Sequence, residues 1–186
     1  MIKWLTIAAI LCSLTLLPAC RQQQETVYSD EVQDTSPAIG DTIIMGTIGD
    51  ASNLVPMLSS DSTSSTVAGQ VYNGLIRYDK DLNFEGDLAE SWQVSADGLT
   101  ITFHLRRDVT WHDGAPLTSA DALFTYQLLI DPDTPTAYSE RYKQVVEASA
   151  PDPYTFIVRY EKPLASALIS WGMAIHPKHL LEGADL

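Results

Sequence analysis

Leu99 to Arg106, LTITFHLR, alternates apolar and polar side chains without a break, and a chain that must bury every second residue does so as a strand with one face on a core. Trp92-Gln93-Val94 precedes this run across Ser95-Ala96-Asp97-Gly98. Asp97-Gly98 supplies a residue that tolerates positive φ, so the two runs are predicted to pair as a β-hairpin. A second hairpin is predicted from Val145-Val146, through Pro151-Asp152-Pro153, to Tyr154–Tyr160. Between the hairpins, Thr118-Ser119-Ala120-Asp121 opens a helix with an acidic variant of the capping box. That helix carries Leu123, Phe124, Leu128 and Leu129 and stops at Asp131-Pro132.

Other segments are shorter. Thr42 to Ile48 is apolar and β-branched, is bounded by Gly40-Asp41 and Gly49-Asp50, and reads as a buried strand. STSSTVAGQVYNGL offers Ser and Thr caps and places Val67, Val71 and Leu75 at helical spacing, which predicts a helix ending at Asn73-Gly74. Pro163 fits the first turn of a helix through Ala165 to Trp171. Strands and helices intersperse without a regular βαβ repeat, so the expected class is mixed α/β with an α+β subdomain.

The first twenty residues, MIKWLTIAAILCSLTLLPAC, hold a short basic start, an apolar run from Trp4 to Leu17 and small residues before Cys20, as an export signal requires. Leu17-Pro18-Ala19-Cys20 resembles a bacterial lipobox, which implies a signal peptide over 1–19 and a lipid on Cys20. The alternative is a plain secretory signal. Either way Cys20 is the one cysteine left after cleavage, so no internal disulfide and no cysteine-ligated zinc is expected. Residues 20–40 are polar and acidic and read as a flexible tether. With 45% hydrophobic residues the remainder can build a core, and a net charge of -13 disfavours nucleic acid as a partner.

Leu88 to Gln127 combines Leu-Ala-x-Ser-Trp, a Ser-x-Asp-Gly turn, an alternating strand ending in Leu-Arg, and Trp-His-Asp-Gly-x-Pro-Leu-Thr-x-x-Asp before a helix. This pattern resembles the family 5 extracellular solute-binding proteins. Asn53-Leu54-Val55-Pro56, Val71-Tyr72-Asn73-Gly74-Leu75 and Pro177-Lys178-His179-Leu180-Leu181-Glu182 extend the likeness, with Val55 and Asn73 departing from the common Asp and Glu. The resemblance implies a periplasmic-binding-protein-like fold of which residues 41–186 supply only the N-terminal part of the first lobe. It further implies a monomeric, extracytoplasmic receptor that captures a peptide or other small-molecule solute for ABC permease subunits, with no enzymatic activity. An anchored peptidase whose catalytic half is missing, or a sensor or chaperone on the same scaffold, stays open.

For ligand contact the resemblance points to Ser59, Ser60, Asp61, Ser62 and Thr63, an extended stretch able to pair with a peptide main chain, although the same groups could merely cap the following helix. Trp171 and Gly172 are a second candidate, as cleft wall or, for the indole, as core. His112-Asp113 reads as part of a turn and not as an acid–base pair. His104, His112, His176 and His179 include a His-x-x-His spacing that Pro177 interrupts, so no metal site is expected, and no cofactor either. Neither a Gly-x-Ser-x-Gly elbow nor a Gly-Lys-Ser/Thr phosphate loop occurs, which places any ATPase on another subunit.

Overall fold

The computed structural model describes residue 40 and residues 44–184. The expected leader, Cys20 and the tether up to residue 39 lie outside the described residues. In chain order the elements are α1 (Ser62–Ala68), β1 (Ile76–Tyr78), β2 (Phe84–Gly86), β3 (Ala89–Val94), β4 (Thr100–Leu105), α2 (Ser119–Ile130), β5 (Val145–Asp152), β6 (Thr155–Tyr160) and α3 (Lys178–Leu181), with short 3-10 turns at Pro56–Leu58, Ser139–Tyr142 and Ile169–Gly172. All of them fall in one unit, Met45–Leu186. Among the described residues no helix is long and apolar enough to cross a membrane.

Both predicted hairpins form, and they share one four-stranded antiparallel sheet in the order β3-β4-β6-β5. Gly98 takes φ +71° in the first turn, as the Asp-Gly pair requires. The alternation along β4 buries Ile101, Phe103 and Leu105, and β6 buries Phe156, Val158 and Tyr160 on the same face, with Phe103 opposite Phe156 and Ile101 opposite Val158. The second turn falls at Pro153-Tyr154, later than expected, because Pro151 and Asp152 still belong to β5.

Helix α2 covers that face with Ala122, Tyr126 and Leu129. Its start is fixed as predicted: the Asp121 carboxylate accepts from the Thr118 backbone N–H at 2.8 Å. The helix also carries a buried polar row, Ser119, Asp121 and Thr125, which the apolar pattern did not reveal. Ser119 donates its hydroxyl to the Asp152 carbonyl at 2.5 Å and its N–H to Pro153 at 2.8 Å, which ties the helix to the β5–β6 turn. Thr125 accepts from the His176 N–H at 2.8 Å, and Asp121 accepts from the Lys178 N–H at 2.9 Å.

Trp171 fills the space between helix and sheet with no exposed area. Its ring lies 5.0 Å from Phe156, 5.5 Å from Tyr142 and 6.0 Å from Phe103, measured between centroids, and its indole N–H donates to the Tyr160 hydroxyl at 2.9 Å. The Trp171 carbonyl accepts from Leu75 at 2.9 Å, where the chain entering β1 crosses the 3-10 turn. That crossing depends on glycine. A Cβ on Gly74 would stand 2.6 Å from the Gly172 carbonyl carbon and oxygen.

Four expectations are corrected. Residues 44–48 of the predicted Thr42–Ile48 strand are exposed and unpaired, because no neighbouring strand among the described residues satisfies their backbone; residues 42 and 43 lie outside the described residues. Helix α1 ends at Ala68, so Val67 and Val71 are exposed and Leu75 is buried outside the helix. Asp61, and not a Ser or Thr, is its cap. Ala165 to Leu168 forms turns leading into the 3-10 turn, since Trp171 must face the core while its carbonyl meets Leu75. The β1–β2 hairpin was not foreseen. Its signal is the Asp79–Asn83 turn, in which the Asp79 carboxylate accepts from the Asp81 and Asn83 N–H groups at 2.8 Å each and Leu82 takes φ +64°.

Gly74→Ala should destabilise the protein by about 2 kcal/mol or more, because backbone lies on the other side of the contact and cannot rotate away as a side chain would. Guanidinium unfolding checks this, and a change below the range of ordinary surface substitutions would show that the crossing can open without cost.

Candidate ligand-binding wall

The polar stretch before α1 does two jobs in its geometry. Asn53 accepts the Val55 N–H at 2.8 Å and starts a turn, Pro56–Leu58 closes it, and Ser59 then runs extended with φ -99° and ψ 137°. Asp61 is also extended, with φ -91° and ψ 153°, and its carboxylate accepts from the Ser52 hydroxyl at 2.5 Å, the Ser64 hydroxyl at 2.6 Å and the Ser64 N–H at 2.7 Å. Those bonds, the Ser52 hydroxyl foremost, hold the Asp61 carboxyl well below the usual carboxylate range. Asp61 is thus committed to capping. Ser62 and Thr63 form the first turn of the helix, with the Ser62 carbonyl accepting the Thr66 hydroxyl at 2.8 Å.

Ser60 differs from its neighbours. It is exposed, and among the described residues nothing hydrogen-bonds to its N–H or carbonyl, nor to the Asp61 N–H. Ser59 is buried, and its carbonyl accepts the Tyr138 hydroxyl at 2.9 Å, which clamps the extended stretch to the loop before the second 3-10 turn. A rigid segment with open main-chain groups is the arrangement that strand addition needs.

Next to it lies a cavity of about 330 Å³, bounded chiefly by Met57, Tyr72, Tyr138, Arg141, Met173 and His176. Gly172 borders it as well, whereas the Trp171 side chain is in the core and takes no part in the wall. His176 is the unexpected member. It is 1% exposed, and neither ring nitrogen makes a hydrogen bond of normal geometry. Burial lowers its pKa to about 4, outweighing the opposite pull of the Ala174 carbonyl, so the imidazole is neutral at physiological pH. Sequence spacing paired this residue with His179 and so obscured it; the available signal was a His just before Pro177 at the end of the apolar Met173-Ala174-Ile175.

The remaining histidine motifs resolve as structure. Asp113-Gly114 turns with Gly114 at φ +89°, the Asp113 carboxylate accepts the Ala115 N–H at 3.0 Å, and His179 meets the same carboxylate at 2.7 Å. His112 is exposed on that turn. Among the described residues no group of three or more His, Cys, Asp or Glu could hold a metal ion.

The family profile described as bacterial extracellular solute-binding proteins, family 5 Middle, matches residues 83–183. The chain belongs to this family. A Brucella ovis protein named as an ABC transporter peptide-binding protein is 38% identical over 98 residues, which are 52% of this chain and 18% of that one. The glutathione-binding protein GsiB of Salmonella choleraesuis is 29% identical over 164 residues, 88% of this chain and 28% of that one. Haemophilus influenzae OppA, solved in complex with RPPGFSPFR, superposes with a TM-score of 0.67 and 28% identity over 72% of this chain and 30% of its own. The chain therefore spans less than a third of the length of each. These neighbours also bear out the periplasmic-binding-protein-like class, and the helices and antiparallel sheets are those of an α+β unit.

Asp61→Ala should lower the thermal midpoint by a few degrees through loss of the cap. Because the folded carboxyl titrates below the unfolded one, its contribution is complete above the ordinary carboxylate pKa and fades as pH falls through the folded value. Melting curves of both proteins should therefore converge in acid. A gap that persists or widens there would mean that the carboxylate is not the stabilising group.

Proposed function

We propose that residues 41–186 begin the first lobe of a longer, extracytoplasmic receptor that captures peptides or similar small solutes and passes them to ABC permease subunits. Family membership carries this reading, and the relatives' own names, peptide-binding and glutathione-binding, set the solute class. The extended stretch Ser59–Asp61 supports it physically. The open Ser60 N–H and carbonyl and the Asp61 N–H can pair with the main chain of a peptide, which gives affinity without reading side chains, and the clamp on Ser59 lowers the ordering cost of binding. Ser62, Thr63 and Gly172 flank that stretch and the cavity beside it. Closing a second lobe over this wall would exclude water and satisfy the remaining polar groups of the solute.

In the same proposal the signal over 1–19 is removed, Cys20 carries the lipid, and residues 20–40 form the tether that holds a monomeric receptor near the membrane. Nothing enzymatic is assigned to the wall. The alternative of a non-transport sensor or chaperone on the same scaffold would use the same binding step.

Titration calorimetry of the full-length natural protein, without its lipid, against di-, tri- and oligopeptide mixtures should give saturable binding with intact peptide recovered afterwards. Cleaved peptide would replace the receptor reading with an enzymatic one, and absence of any binding would move the search to metal chelates and other small solutes. For the anchor, Cys20→Ser should abolish incorporation of labelled fatty acid and release the protein from membranes; labelling that survives the substitution would refute lipidation at this residue.

A further inference from the structure

We propose that His176 is an acid-operated latch: when its imidazole takes up a proton, the ring leaves its buried site and residues 173–178 come away from helix α2. The cavity beside Ser59–Asp61 would then lose one of its sides. No ligand enters this inference, so it goes beyond the receptor reading without resting on it.

The buried site is unfit for a charged ring. His176 is 1% exposed, and neither ring nitrogen has a hydrogen-bond partner of normal geometry. A protonated imidazole donates from both nitrogens and so needs two acceptors. The Ala174 carbonyl can serve one at most. The Thr125 hydroxyl is spent, since it accepts the His176 backbone N–H at 2.8 Å and donates to the Asp121 carbonyl at 2.8 Å. The Tyr72 ring, 5.5 Å away between centroids, offers a cation only a π face, which returns a fraction of the lost hydration.

Counter-charge is missing as well. On α2, the Asp121 carboxylate is engaged by the Thr118 N–H at one oxygen and by the Lys178 N–H at the other. The Ser139–Tyr142 turn brings Arg141 to the cavity border, a cation that opposes a second one, while Glu140 is exposed and paired with Lys143. The Tyr138 and Tyr142 hydroxyls donate to the Ser59 and Ser170 carbonyls, and Asp61 caps α1. Beyond Pro177, Lys178 pairs with Glu182 and His179 with Asp113. At 1% exposure the ring is already enclosed by the described residues, so further chain in a longer protein meets their outer surface and not the imidazole.

Weak anchorage keeps the response local. Residues 173–177 have no regular structure, and among the described residues the 173–178 stretch is tied down by three of its backbone N–H groups: His176 to Thr125, Lys178 to Asp121, and Ile175 to the Asn73 carbonyl at 2.9 Å. Pro177 has no N–H to add a fourth. Gly172, Met173 and Ala174 border the cavity, which leaves the stretch empty space on one side. His179 responds with the opposite sign. Its protonation strengthens the contact with Asp113, so α3 stays docked on the Asp113-Gly114 turn while the residues before it release.

Burial holds the His176 pKa at about 4, against an ordinary 6.5. Above pH 6.5 the open and closed forms are both neutral, and the latch is shut. Between 6.5 and 4 only the open form binds the proton, so opening grows about tenfold per pH unit; below 4 the closed form is protonated too and the growth stops.

Hydrogen exchange of the full-length natural protein, followed by mass spectrometry over residues 173–181 and over β4, tests this. After division by the intrinsic exchange rate at each pH, opening of residues 173–181 should increase about tenfold per pH unit from pH 6.5 down to 4, and it should exceed that of β4 throughout. His176→Gln and His176→Leu carry no titrating ring, and in both the rise should be lost. Thermal melts at neutral pH establish that the variants are folded; should the Leu variant not fold, the Gln variant makes the comparison.

Wild-type opening that stays level, or that rises as steeply in a folded variant, would overturn the latch. Equal opening of residues 173–181 and β4 would overturn it too, because the proton would then unfold the unit as a whole. Either result leaves the receptor reading intact, since no peptide is present.

Discussion

The indole of Trp171 is the contact on which the other parts converge. Its ring packs on Phe103 and Phe156 from the sheet and on Tyr142 from the second 3-10 turn, its N–H bonds to Tyr160 at the end of β6, and its carbonyl holds Leu75 at the entry to β1. One residue thereby joins the four-stranded sheet to the strand that leaves α1. Burying so large a ring contributes more than any aliphatic side chain in this core, and giving the indole N–H a partner removes the penalty that burial would otherwise carry. The close passage of Gly74 and Gly172 follows from the same contact: the two backbones can meet because Gly74 carries no Cβ.

A second constraint comes from polar groups placed where an apolar helix face would be expected. Ser119, Asp121 and Thr125 are buried, yet each has partners, and those partners are backbone groups of the β5–β6 turn and of residues 176–178. Backbone hydrogen bonds of this kind hold irregular segments in place, where no ladder or helix would satisfy them. The arrangement explains why His176, in a stretch without regular structure, is still fixed at the edge of the cavity. Both the wall and the cavity are thus positioned by contacts that contribute nothing to a hydrophobic pattern.

That difference accounts for what could be read in the sequence. Period-two alternation and the Asp97-Gly98 turn are local, so the β3–β4 hairpin was legible from Trp92 to Arg106, and so was the Thr118–Asp121 start of α2. The TIIMGTI run carries equally strong strand composition, yet its described residues stay unpaired, because pairing depends on a partner that composition does not name. Val67, Val71 and Leu75 had helical spacing but lost to the cap: Asp61 and three serine groups decide where α1 begins, and Gly69 is where it ends. The Ser59–Thr63 stretch was found through resemblance, whereas its clamp by Tyr138, 79 positions along the chain, required the fold. His176 was visible only as half of a metal-like spacing, and the long-range contacts that bury it have no sequence signature.

The charge of the chain bears on its ligand less than its size suggests. A net charge of -13 could be taken to favour cationic cargo, but exposed charges are screened within about 8–10 Å at physiological ionic strength. Acidic groups near the wall are also committed, Asp61 to the cap of α1 and Asp121 to Thr118 and Lys178. The cavity beside the extended stretch is lined by aromatic rings, sulfur, a neutral imidazole and Arg141. Among the lining residues of the cavity the one charged side chain is that of Arg141. The acidic exterior bears on solubility and long-range encounter, and the lining residues bear on contact at close range.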